Sequence, residues 1–210
     1  MATTLYQKTE PELTSIDKIL EASTRVVAAH GDDGTTFKKV GDAAGVSTGL
    51  VQHYFKTKKD LLDATGQHVL KQVSAMLEAT PLPERDPLTE AGRRFVSMVT
   101  SAPHLMKYIS RSLADGGEVG HVMFRWLYEL SCTQGDTFAA EGMLAPDLDR
   151  VWGALNPVIL RVGTFILAEH IGQFLPEPFT TPTQIHRWEK AFADLIRHGQ
   201  LNEKATPEAL

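Results

Sequence analysis

The chain has 210 residues, 42% of them hydrophobic, which suffices for a real core in one large domain or two small ones. Its formal net charge of -5 excludes a uniformly basic nucleic-acid coat but leaves room for a local basic patch. A single cysteine, Cys132, excludes an intramolecular disulfide and favours a reducing compartment.

Residues 1–13 read as a disordered N-terminal arm. The start, "MATTLYQKTEPELTS", has neither the basic nor the apolar region of a secretory leader. The first helix opens at Thr14, with Asp17 three residues on as a capping box. Ile16, Ile19, Leu20, Val26 and Val27 give it an apolar face, and "HGDDG" ends it. A short second helix runs from Thr35 or Thr36 to Ala44 and buries Phe37, Val40 and Ala44. A third covers about Thr48–Phe55. A fourth starts after Thr57, paired with Asp60 as a second capping box, and continues to Leu77.

The prolines of "TPLPERDP" at 80–87 break that helix. Further helices are expected near 88–101, 103–114, 118–141, 146–174 and 183–198, with Pro157 kinking the fourth of these. "PEPFTTP" at 176–182 reads as a loop, and 199–210 as a flexible tail. Strand signals are nearly absent. The expected fold is therefore all-α with about nine helices. The most apolar stretch, "VILRVGTFILAEHI", is too short to span a bilayer and carries Arg161 and Glu169, so a cytoplasmic protein without a membrane partner is expected.

Residues 45–49, "GVSTG", match the G-x-S-x-G pattern of a serine hydrolase with Ser47 as nucleophile. That elbow needs a strand before it. Here "TTFKKVGDAA" precedes, with Phe37, Val40 and Ala44 at helical spacing. A helix-turn-helix uses every residue instead. Gly45 takes the left-handed position past Ala44. Ser47 caps the next helix, and Val46 staples onto Val51. Val51 and Phe55 then face the core, leaving Thr48, Gly49, Gln52 and His53 on the outer face of a short helix suited to a major groove. Between Thr35 and Lys59 stand Lys38, Lys39, Lys56, Lys58 and Lys59 against Asp42 alone. A basic island on an acidic chain is the footprint of phosphate binding.

The run "TTFKKVGDAAGVSTGLVQHYFKTKKDLL" resembles the DNA-binding signature of the TetR family of transcriptional regulators. "TT", "AAGVS", "HYF" and "K-T-K-x-x-L-L" stand in that family's order and spacing, with the matching core at 35–62. The resemblance implies a helix-turn-helix domain at 14–57 and a ligand-binding and dimerisation domain at 58–198. It also implies a homodimer that binds a double-stranded DNA operator and is released by a small-molecule effector. The family's phosphate contacts fall on Thr36, Ser47, Tyr54 and Lys58, with Lys38 nearby. Its base-reading positions fall on Thr48, Gly49, Gln52 and His53. Gln52 stands where family members often carry an aromatic residue, and glutamine can pair with adenine N6 and N7. Leu50 replaces a commoner small polar residue.

Downstream, Met106, Phe124, Trp126, Tyr128 and Trp152 recur at helical spacing. Core packing and the lining of an apolar pocket both fit them, with Asn156 before Pro157 as a polar anchor. Val158, Val162, Phe165 and Ile166, then Trp188, Phe192 and Leu195, mark the apolar faces of the last two helices. The resemblance implies a dimer interface there; an internal core is the alternative. Eight histidines without an H-x-x-x-H pair or HExxH give no metal signature. The expected protein is a repressor with no cofactor, no metal and no enzymatic activity. A ligand-independent regulator or an activator, and more remotely a Ser47 hydrolase, are the alternatives.

Overall fold

The structure is a computed structural model that describes residues 14–78, 80–83 and 86–202. The expected arm at 1–13 lies outside them, as does the tail beyond 202. The described residues form ten α-helices and no strand, apart from one isolated antiparallel bridge between Leu144 and Leu201.

Four helices build the N-terminal part: α1 (Ser15–Gly34), α2 (Phe37–Ala44), α3 (Thr48–Tyr54) and α4 (Lys58–Leu77). Both capping boxes form. Thr14 accepts from the Asp17 N–H while Asp17 accepts from the Thr14 N–H, and Thr57 and Asp60 repeat the exchange. Near its end α1 bends at Gly31, which takes φ 69°. A Cβ there would lie 2.5 Å from Asp115 Oδ2, so glycine also lets the body approach closely.

Six helices complete the body: α5 (Pro87–Ser101), α6 (Pro103–Asp115), α7 (Gly117–Ala140), α8 (Arg150–Ile166), α9 (Ala168–Gly172) and α10 (Pro182–Gln200). The long helix expected over 146–174 is shorter and divided. It starts at Arg150 because Asp149 caps it, accepting from the Val151 and Trp152 N–H groups. It ends where Leu167 leaves helical geometry, with φ -93° and ψ 9°. Pro157 lies inside α8. The expected tail boundary at 199 falls within ordered chain. Here α10 runs to Gln200, and Leu201 is buried against Phe138 and Ile196.

Two cores result. A small one gathers Ile19, Ala22, Val26, Val40, Val51, Phe55 and Leu61. A larger one draws on α1, α4, α5, α6, α7, α8 and α10, from Val27 and Val69 through Tyr108 to Ile185. Both α1 and α4 contribute side chains to each core, so the small head is braced on two helices that continue into the body.

The break after α4 is packed rather than loose. Arg94 on α5 donates to the carbonyl oxygens of Leu77, Thr80 and Pro81 and to Thr80 Oγ1, with Glu90 compensating its charge. Among the described residues, no helix is long and apolar enough to cross a membrane.

Candidate nucleic-acid interface

The turn between α2 and α3 is set by local chemistry. Gly45 adopts φ 69° and ψ 32°. The Val46 N–H donates to the Gly41 carbonyl at 3.0 Å and the Gly45 N–H to Asp42 at 3.4 Å, the paired bonds of a Schellman motif. Val46 and Val40 then join the same apolar cluster. Ser47 caps α3, its Oγ accepting from the Leu50 N–H at 3.1 Å. This is a cap after a helix, where a nucleophile elbow requires a strand. Gly41 was not singled out from sequence. A Cβ on it would meet the Val46 carbonyl oxygen at 3.0 Å and the Thr48 nitrogen at 3.4 Å. The two helices cross this closely only because that atom is missing.

The α3 helix buries Val51 and packs Leu50 against the small core, so Leu50 is structural here. Ser47, Gly49, Gln52, His53 and Tyr54 are exposed, and Thr48 is half-buried. Tyr54, 41% exposed, meets the His53 ring edge-on at 5.6 Å. A phenol left this open beside polar neighbours is placed to meet a partner. Thr36 is also exposed and caps α2, accepting from the Lys39 N–H at 3.2 Å. Every one of the five lysines has an internal partner. Lys38 donates to Asp42 at 2.8 Å, which raises its pKa. Lys39, Lys56 and Lys58 donate to the carbonyls of Gly34, His53 and Asp33. Lys59 bridges to Glu118 on α7 at 2.7 Å and to Asp63, so it ties the head to the body. Neutral carbonyl partners leave the charges of Lys39, Lys56 and Lys58 uncancelled and available to phosphate.

In the body, an apolar cavity of about 60 Å³ lies between α4, α5, α6, α7 and α8. It adjoins a more polar one of about 280 Å³ reaching toward α10. Met106 lines the inner cavity and Tyr128 the outer. Phe124, Trp152 and Asn156 do not belong with them. All three are exposed on the surface, Trp152 by 56%, and line neither cavity. The residues expected at the dimer interface divide by burial within the single chain. Val158, Val162 and Phe192 are buried, while Phe165 and Trp188 pack in an aromatic cluster with Phe95 and Phe179. Only Ile166 and Leu195 of that set are exposed. The apolar stripe that α8 turns outward is Trp152, Ile159, Leu160 and Ile166.

A buried ion pair between Arg161 on α8 and Glu189 on α10 escaped the sequence reading, since 28 residues separate its partners. Gly92 on α5 makes room for it, because a Cβ there would lie 2.5 Å from Glu189 Oε1. A glycine inside a helix costs about 0.5–1 kcal/mol relative to alanine. Among the described residues, no group of three His, Cys, Asp or Glu is placed to hold a metal ion.

Comparison with known proteins accords with this geometry. Residues 19–65 match the sequence model of "Bacterial regulatory proteins, tetR family". The HTH-type transcriptional regulator BetI of Burkholderia cenocepacia is 31% identical over 179 residues, covering 75% of this chain and 92% of that protein. The chain belongs to the TetR family. Members of the family are DNA-binding transcriptional regulators, typically repressors, and are not enzymes. Another relative is the HTH-type transcriptional regulatory protein RaaS of Mycobacterium tuberculosis. It is 28% identical, with 74% of this chain and 72% of that protein covered. The TetR fold extends over the whole body. SmeT, the repressor of the Stenotrophomonas maltophilia multidrug efflux pump SmeDEF, superposes with a TM-score of 0.70 at 20% identity, covering 95% of this chain and 98% of that one.

Proposed function

We propose that this TetR-family regulator is a repressor that binds a palindromic operator as a homodimer and is released by a small hydrophobic ligand. The reading head is 14–57, the effector-binding and dimerisation body 58–198. The observation that carries the proposal is the exposed face of α3, with Gln52, His53 and Tyr54 on the surface and Gly49 leaving room for close approach. Gln52, His53 and Thr48 are assigned to base edges. Thr36, Ser47, Tyr54 and Lys58 are assigned to phosphates, and Lys38 as well once it exchanges Asp42 for one. The outward stripe of α8, with Leu195 of α10 at 64% exposure, is assigned to the partner subunit.

Release follows from α4. Lys58 stands at its first turn, and Val73 and Leu77 form part of the inner cavity wall. The rise of a helix puts roughly 22 Å between Lys58 and Val73. An effector that favours a different setting of α4 in each subunit changes the spacing of the two heads, and its differential affinity sets the size of the effect.

Fluorescence anisotropy with operator and random duplexes tests the assignments. Lys58→Ala should weaken binding to both duplexes alike and lower the log–log salt slope by about 1. Gln52→Ala should cost about 1–3 kcal/mol on the operator and little on random DNA. Equal losses on both duplexes for Gln52→Ala would remove it from base reading.

A further inference from the structure

We propose that the effector is an amphipathic organic acid whose carboxylate is held by Arg161; this rests on the effector-released reading above. Arg161 lines both cavities, as do Ser131 and Gln134. The three polar residues therefore mark the seam between an apolar inner chamber and a more polar outer one. The inner chamber, about 60 Å³, is walled by Val73, Phe95, Met98, Ile109 and Val158, which suit a short hydrocarbon segment and offer it no hydrogen bond.

The guanidinium packs against two aromatic rings. Its carbon lies 4.7 Å from the Phe95 ring centroid and 4.2 Å from that of Phe192. The rings offer its N–H groups no oxygen acceptor, so those groups need other partners. One of these, on Nη2, donates to Glu189 at 2.8 Å, while Nε is buried without a partner. A buried donor left unmatched is unfavourable, and a carboxylate matches an arginine edge with two parallel bonds. Glu189 lines neither cavity, and its Oε2 is likewise buried without a partner. Burial raises its carboxyl above the ordinary range, so it can take up a proton when a second carboxylate arrives. A cationic head group would instead face the positive charge of Arg161. A hydroxyl would satisfy only one of the edge donors.

Calorimetry on the full-length protein with butanoate, butanol and butylamine tests this, alongside operator anisotropy. Butanoate should bind at least tenfold more tightly than either of the others and release operator. The doubly neutral Arg161→Gln/Glu189→Gln variant should reduce butanoate to the level of butanol. Arg161→Lys, which keeps the charge but loses the planar edge, should weaken butanoate in the same direction and gives the answer if the double variant does not fold. Equal binding of butanoate and butanol, a preference for butylamine, or a butanoate preference that survives these substitutions would overturn the proposal. So would failure of all three compounds to bind protein that still binds operator. Absence of operator binding in the unsubstituted protein would instead overturn the repressor reading.

Discussion

Gly41→Val is expected to abolish specific operator binding, by at least about a hundredfold, while the body stays folded. The atoms that a side chain at Gly41 would meet are backbone: the Val46 carbonyl oxygen at 3.0 Å, the Thr48 nitrogen at 3.4 Å and the Ser47 carbonyl carbon at 3.5 Å. None can rotate away. The Gly41 carbonyl also holds the Val46 N–H, so the turn is pinned at the point where it would have to move. Relief requires α3 to shift against α2. Overpacking of this kind costs about 1–3 kcal/mol, and a displacement near 1 Å misplaces every base-reading side chain together. The body core is separate and should retain its helicity. Circular dichroism and anisotropy on the same sample check both halves. Gly41→Ala adds only the single strained carbon and should show a much smaller loss. Operator affinity within threefold of the parent for the valine variant would contradict the geometry.

Ile159→Glu combined with Leu195→Glu is expected to yield a monomer that binds operator at least about a hundredfold more weakly. Both residues are exposed apolar side chains, at 47% and 64%. Burying a large aliphatic side chain contributes about 1.5–3 kcal/mol. Replacing two of them with carboxylates removes that gain and sets like charges across a twofold interface. Separated heads lose the effective concentration that links one half-site to the other. Val162→Ala provides the contrast. It lies in the body core, so it should lower the melting temperature and leave the oligomeric state alone. Light scattering across a protein titration distinguishes the two. A persistent dimer in the double glutamate variant would place the interface elsewhere.

Local chemistry made the head legible from sequence. Thr14 with Asp17, Thr57 with Asp60, Ser47 and Gly45 all act over three to five residues, and each forms the cap its spacing implies. The face of α3 was also readable, because Val51 and Phe55 fix which side turns inward. The α8 helix gave no such signal. It is apolar nearly all round, with Val158 and Val162 inward and Ile159, Leu160 and Ile166 outward, so periodicity does not choose between core and interface. For the same reason, spacing alone does not tell Trp152 and Asn156, which are exposed, from residues lining a pocket. Contacts between distant segments were beyond reach. Arg161 with Glu189, Lys59 with Glu118 and the Gly41 crossing depend on how helices meet, and no spacing in the chain encodes them.

Selection of source-genome fragments by the purified protein, followed by footprinting across a salt series, tests the central claim most directly. The account predicts retained fragments in which two symmetry-related half-sites, about one helical turn or a multiple of it apart, are protected. Affinity should fall steeply with salt, and the footprint should vanish for Gly41→Val. Retention no better than random DNA at low salt would contradict it.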